Sequence, residues 1–120
     1  MKIAITTTEN SLDAQVELRF GRATAFMIYD TESKTAEMID NKQNLNAAQG
    51  AGIQAAQFVI NSGAEALISG HCGPKAFKVL VAGKIKIYAV EAQTVASAIE
   101  NLKQGKLEEL SGADVEEHWV

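Results

Sequence analysis

The chain has 120 residues, 47% hydrophobic and 22% charged, with one Pro, one Cys and a formal net charge of −4. That length fits one domain with a core of its own, and one Cys excludes an internal disulfide and any Cys₄ or Cys₂His₂ zinc site. The charge balance opposes a general nucleic-acid binder, which carries a basic surplus.

No apolar run approaches the roughly 20 residues that a membrane helix needs, so no membrane partner is expected. The start, Met1-Lys2-Ile3-Ala4-Ile5, leads straight into a strand pattern with no signal peptide before it. With a lone thiol, the expected compartment is the cytoplasm.

Along the chain, Lys2–Thr7 is β-branched and weakly alternating, and reads as a strand. Glu9–Asp13 is polar and loop-like. Ala25–Asp30 and Thr35–Asp40 read as two strands of a hairpin around the polar turn Thr31–Lys34, with Met27 and Met38 as core residues. Asn41–Asn46 is polar loop. Ala47–Asn61 then takes helical spacing, with Ile53, Ala56 and Ile60 on one face and Phe58 and Val59 broadening it. Ser62-Gly63 stops it, Gly supplying a left-handed residue.

Ala66–Ser69 reads as a short buried strand. Pro74 suits the first position of a helix, where its missing N–H costs nothing; that helix runs to Ala82 and closes at Gly83. Ile85–Val90 is another strand. Thr94 caps a last helix whose inner face is Val95, Ala98, Ile99 and Leu102, ending at Gly105. The order β-β-β-α-β-α-β-α predicts an α/β fold with a mixed, mainly parallel sheet and helices on both faces. Residues 1–107 form the expected single domain and 108–120 an acidic tail.

Charge is unevenly spread. From Glu108 to Val120 there are five acids and no Lys or Arg. Residues 1–107 hold eleven bases and ten acids. Between Glu65 and Glu91 there is no acid, but there are four lysines: Lys75, Lys78, Lys84 and Lys86.

Ligands of such sheets sit beyond the carboxyl ends of parallel strands. There lies Ser69-Gly70-His71-Cys72-Gly73-Pro74-Lys75, joining a buried strand to a helix start. A helix N-terminus favours anions, Gly70 and Gly73 permit close approach to the backbone, and a thiol there is biased toward thiolate. Cys72 and His71 are thus candidate ligands of a soft metal. The plainer reading is a strand–helix turn with a buried Cys.

Arg19-Phe20-Gly21-Arg22-Ala23 is a second feature. Arginines present forked donors to oxyanions and sulfide-rich anions; alternatively both are solvated charges with Phe20 anchoring the loop. The third is Asn44 to Gly52, whose glycines at a helix start admit either a ligand or close packing. Gly50-x-Gly52 lacks the third glycine of a dinucleotide fingerprint, and the chain lacks a phosphate-binding P-loop. For catalysis, His118 lies in the tail, and Asp30 and Asp40 sit at hairpin strand ends where turn chemistry is expected. No catalytic residue is assigned.

The runs Arg19-Phe20-Gly21-Arg22-Ala23, Gln49-Gly50-Ala51-Gly52-Ile53-Gln54, Ser69-Gly70-His71-Cys72-Gly73-Pro74-Lys75-Ala76-Phe77 and Ile85 through Gly105, with the ending Val115-Glu116-Glu117-His118-Trp119, resemble the dinitrogenase iron–molybdenum cofactor biosynthesis family. That family includes carriers of nitrogenase cofactor precursors and the small orange protein of sulfate reducers, which holds a molybdenum–copper–sulfide cluster. The resemblance runs from Lys2 to Leu107. It implies a ribonuclease H-like motif and binding or delivery of an anionic metal–sulfide cluster (Fe–Mo–S or Mo–Cu–S) in an anaerobe, without enzymatic turnover.

The resemblance and the residues together give Arg19, Gly21, Arg22, Asn44, Gly70, Gly73 and Lys75 as the cofactor-binding set, with Cys72 and His71 as metal ligands. Some relatives carry His where this chain has Arg19, which implies electrostatic holding at that position. Expected partners are metal-cluster assembly proteins, an ATPase among them, and the expected state is a monomer or weak dimer. The alternative is a regulatory or interaction module partnering that ATPase.

Overall fold

The computed structural model describes residues 1–41 and 51–110. Its strands are β1 (Lys2–Thr7), β2 (Ala25–Asp30), β3 (Thr35–Asp40), β4 (Ala66–Ser69) and β5 (Lys86–Ala89), and its α-helices are α1 (Ala51–Asn61), α2 (Pro74–Ala82) and α3 (Val95–Lys103). A single 3₁₀ turn, Phe20–Arg22, precedes β2. The first four strands and α2 keep the bounds expected from sequence, and β5 is one residue shorter at each end. The expected start of α1, residues 47–50, lies outside the described residues, as do Asn44 and the tail residues 111–120.

Among the described residues the five strands form one sheet in the order β3-β2-β1-β4-β5. The β1–β2 and β2–β3 pairs are antiparallel, and β1–β4 and β4–β5 are parallel. The sheet is therefore mixed, but not mainly parallel as expected. The long connection from β1 to β2 and the β2–β3 hairpin keep the first three strands antiparallel, and only the two crossovers through α1 and α2 return the chain parallel.

Strand alternation sorts the core into two layers. On one face Ala4, Phe26, Ile28, Leu67 and Ile87 pack against Ala55, Ala56 and Val59 of α1 and Ala76 and Leu80 of α2. On the other, Ile3, Ile5, Met27, Tyr29 and Ile68 pack against Val95, Ala98 and Ile99 of α3. Helices thus cover both faces. Each fully buried Ile, Leu, Met or Phe contributes roughly 1.5–3 kcal/mol of transfer free energy. Met27 and Met38 face each other across the hairpin, Met27 buried and Met38 half-buried, in the core role expected of them.

Glycines mark close contacts. Gly52 faces the Ala76 Cβ, 3.4 Å from where its own Cβ would stand, so it serves helix–helix packing. Gly63 ends the turn after α1 at φ 82°. Gly83 closes α2 for a different reason: its φ is −83°, and a Cβ there would stand 2.6 Å from the Ile60 side chain. The left-handed residue is the next one, Lys84, at φ 63°.

Glu109 bridges Tyr88, and the Leu110 N–H donates to the Ile87 carbonyl (2.7 Å) along the outer side of β5. Leu110 packs against the core layer under α1 and α2. Glu109 and Leu110, at the start of the acidic segment, therefore lie against β5. No helix among the described residues is long and apolar enough to cross a membrane.

Candidate functional site

The carboxyl ends of β1 and β4 are crossed by the segment that follows β1, residues 8–24, a strap for which the sequence reading gave no element beyond the polar loop Glu9–Asp13. Thr7 bridges Val16, and the Glu17 N–H donates to the Thr6 carbonyl (2.8 Å). The strap then runs beside the loop leaving β4. The His71 N–H donates to the Leu18 carbonyl (2.7 Å), the Phe20 N–H donates to the His71 carbonyl (3.0 Å), and Arg19 and His71 form a parallel bridge. Two features that were separate in the sequence are therefore one site.

Phe20 anchors the strap. It is fully buried, with its ring 5.7 Å from that of Phe26. The 3₁₀ turn closes through Arg22 N–H to Arg19 carbonyl (3.2 Å) and Ala23 N–H to Phe20 carbonyl (3.3 Å). Gly21 is buried in that turn, while Arg19 and Arg22 on either side are exposed. Asn41 fixes the exit: it is fully buried and donates from Nδ2 to the Ala23 carbonyl (2.8 Å). The sequence reading placed Asn41 in a polar loop. An amide directly after an edge strand was the available signal, and its partner 18 residues away was not readable.

On the other side of the site, α2 starts at Gly73, which has no side chain with which to cap, and Pro74 takes the first helical position. The positive end of the helix dipole lies here, with Lys75 exposed in the first turn and His71 exposed just before it. The N-terminus of α3 lies beneath the strap. Its N–H groups are taken by this chain: Val95 donates to the Ala14 carbonyl (2.8 Å), Ala96 to the Leu12 carbonyl (2.8 Å) and Ser97 to Thr94 Oγ1 (3.1 Å).

Two of the expected site residues, Cys72 and Gly70, lie below the surface. Cys72 is not at the rim. It is 1% exposed, within the core layer that includes Phe20 and Ala76, with Sγ 3.7 Å from the Gly73 carbonyl. The plainer reading of a buried thiol describes its position, as a free Cys packs like a small hydrophobe. Gly70 is not open to a ligand either. A Cβ there would overlap the Leu18 carbonyl group, so the backbone it admits is the chain's own strap. Exposed at the rim are Arg19, Arg22, His71 and Lys75; Gly21, Gly70 and Gly73 are buried beneath it.

Among the described residues no group of three or more His, Cys, Asp or Glu is placed to hold a metal ion. Asp30 does turn chemistry, as expected: its Oδ1 accepts from the Glu32 N–H (2.9 Å), and that bond holds its carboxyl below the ordinary value of 3.8.

A family profile for dinitrogenase iron-molybdenum cofactor proteins matches residues 1–105. The apo form of the orange protein from Desulfovibrio gigas is 38% identical, with 95% of this chain and 96% of that one covered, and superposes with a TM-score of 0.93. A candidate NifB protein from Thermotoga, solved by NMR, is 37% identical over 96% of this chain and 97% of its own, with a TM-score of 0.83. An uncharacterized protein of Methanocaldococcus jannaschii is 33% identical over 111 residues, 90% of each chain. The profile spans the strap, the loop after β4 and the three helices, and by that match the chain belongs to the dinitrogenase iron-molybdenum cofactor family.

Proposed function

We propose that this protein binds an anionic metal–sulfide cluster as cargo, an iron–molybdenum cofactor precursor or a molybdenum–copper sulfide, and hands it on without chemical turnover. The observation that carries the reading is the bridge between Arg19 and His71, which joins two exposed cationic segments at the carboxyl ends of β1 and β4. Arg19, Arg22 and Lys75 supply positive charge to sulfide-rich anions, and the N-terminus of α2 adds its dipole. His71 is exposed at the same rim, and imidazole is a ligand type suited to soft or borderline metals. The buried sulfur of Cys72 lies beneath this surface, so charge rather than thiolate ligation does most of the holding.

Donor and acceptor proteins of cluster assembly, an ATPase among them, are the partners this role requires. The strand order β3-β2-β1-β4-β5, with three antiparallel strands followed by parallel ones, supports reading the sheet as a ribonuclease H-like motif.

The test is to incubate apo protein with tetrathiomolybdate and Cu(I), or with an iron–sulfide precursor, and pass it through gel filtration. Visible absorbance should travel with the protein and weaken in Arg19→Ala and Lys75→Ala. If none of these mixtures leaves colour on the wild-type protein, the reading fails.

A further inference from the structure

Two hydroxyls below the rim have no place in the cluster-binding set. Thr6 at the end of β1 is fully buried, and Ser69 at the end of β4 is 1% exposed. Their oxygens lie 3.1 Å apart, and Thr6 Oγ1 also donates to the Glu17 carbonyl (2.8 Å). A threonine has one hydroxyl proton. Thr6 Oγ1 is the donor to both the Glu17 carbonyl and the Ser69 Oγ, so its one proton is shared between them.

The bonds close a ring. Thr6 is tied to Glu17 twice, by its hydroxyl and by its carbonyl, which accepts from the Glu17 N–H. The strap continues to Leu18, whose carbonyl accepts from the His71 N–H. The chain then leads back through Gly70 to Ser69, and across the hydroxyl pair to Thr6. Valine would fill the Thr6 site with nearly the same shape, and alanine would fill the Ser69 site. A strand end that needed only packing has no use for two buried hydroxyls, which cost free energy unless bonded.

We propose that Thr6 and Ser69 are positioning residues: their hydroxyl pair fixes the strap so that Arg19 is held beside His71. Only the consequence for cargo affinity rests on the proposed function; the consequence for the strap does not.

Thr6→Val removes the donor and leaves the Glu17 carbonyl short of a bond. Thr6→Ser keeps the donor. Amide hydrogen exchange of the apo protein is measured at Phe20 and His71, the two N–H groups of the bridge, with Ile5 and Ile68 as controls in the central strands. The retained colour of tetrathiomolybdate gives the affinity.

In Thr6→Val, exchange at Phe20 and His71 should rise about tenfold relative to the controls, the size expected from one lost buried bond. Affinity for the probe should fall severalfold, and Thr6→Ser should restore both. Unchanged exchange at the two bridge amides overturns the inference. So does faster exchange with unaltered affinity in a protein whose wild type binds. If the wild type does not bind the probe at all, the proposed function fails, and the exchange ratio alone decides whether the hydroxyls position the strap. Should Thr6→Val not fold, Ser69→Ala removes the other hydroxyl with a smaller change in volume and gives the same readings.

Discussion

Gly70 and Leu18 are in backbone contact: a Cβ on Gly70 would overlap the Leu18 carbonyl group, and the neighbouring His71 N–H donates to that same carbonyl at 2.7 Å. The obstacle is main chain, which cannot rotate aside. Gly70→Ala should therefore cost about 3 kcal/mol, at the upper end of overpacking effects. Urea unfolding followed by circular dichroism measures it. A loss under 0.5 kcal/mol would mean that the strap shifts cheaply.

Cys72 tests the distinction between charge and thiolate. At 1% exposure its sulfur should react with a maleimide far more slowly in native than in urea-unfolded protein. Cys72→Ala should cost about 1–2 kcal/mol of stability through the small cavity it leaves. The same variant should keep most of the cluster colour that Arg19→Ala loses. Loss of colour in Cys72→Ala alone would restore the thiol as a ligand.

Salt should matter to cargo and little to the fold. Arg19, Arg22 and Lys75 are exposed, so their attraction for an anion is screened. The screening length falls from about 10 Å at 0.1 M to about 3 Å at 1 M ionic strength. Affinity for tetrathiomolybdate should drop at least tenfold over that range, measured by equilibrium dialysis, while the urea midpoint of the apo protein changes little.

Asp30 gives the acid response a sign. The Glu32 N–H bond holds its carboxyl below 3.8, so the folded state favours the charged form more than the unfolded state does. The stability it contributes is present above the unfolded value and is lost as pH falls through the lower, folded one. A carbon-detected NMR titration should place the Asp30 midpoint below 3.8. Asp30→Asn, which keeps the acceptor without titrating, should flatten the acid limb of stability.

Local chemistry made much of the fold readable. Pro74 and Thr94 marked helix starts, and the Met27–Met38 hairpin followed from two β-rich runs around a polar turn. The strap was not readable. Residues 14–19 belong to no named strand, and their order comes from bonds to Thr6, His71, Gln93 and Val95 supplied by distant parts of the chain. For the same reason Gly70 looked like a place for a ligand: sequence shows that a Cβ is missing, not what fills the space. The two crossover units dominate the sequence pattern, but the strap between β1 and β2 and the β2–β3 hairpin add one antiparallel pair each, as many as the crossovers add parallel ones.

The ring that joins Thr6 to Ser69 spans 63 residues of chain. During synthesis both arginines emerge long before β4 does, yet the surface that sets Arg19 beside His71 does not exist until β4 docks against β1. A half-made chain carries the charges without the bridge, so under the proposed function cargo binding has to wait until β4 has docked. Long-range closure of this kind also forms slowly, so the juxtaposition of Arg19 and His71 is a late feature of the folding chain.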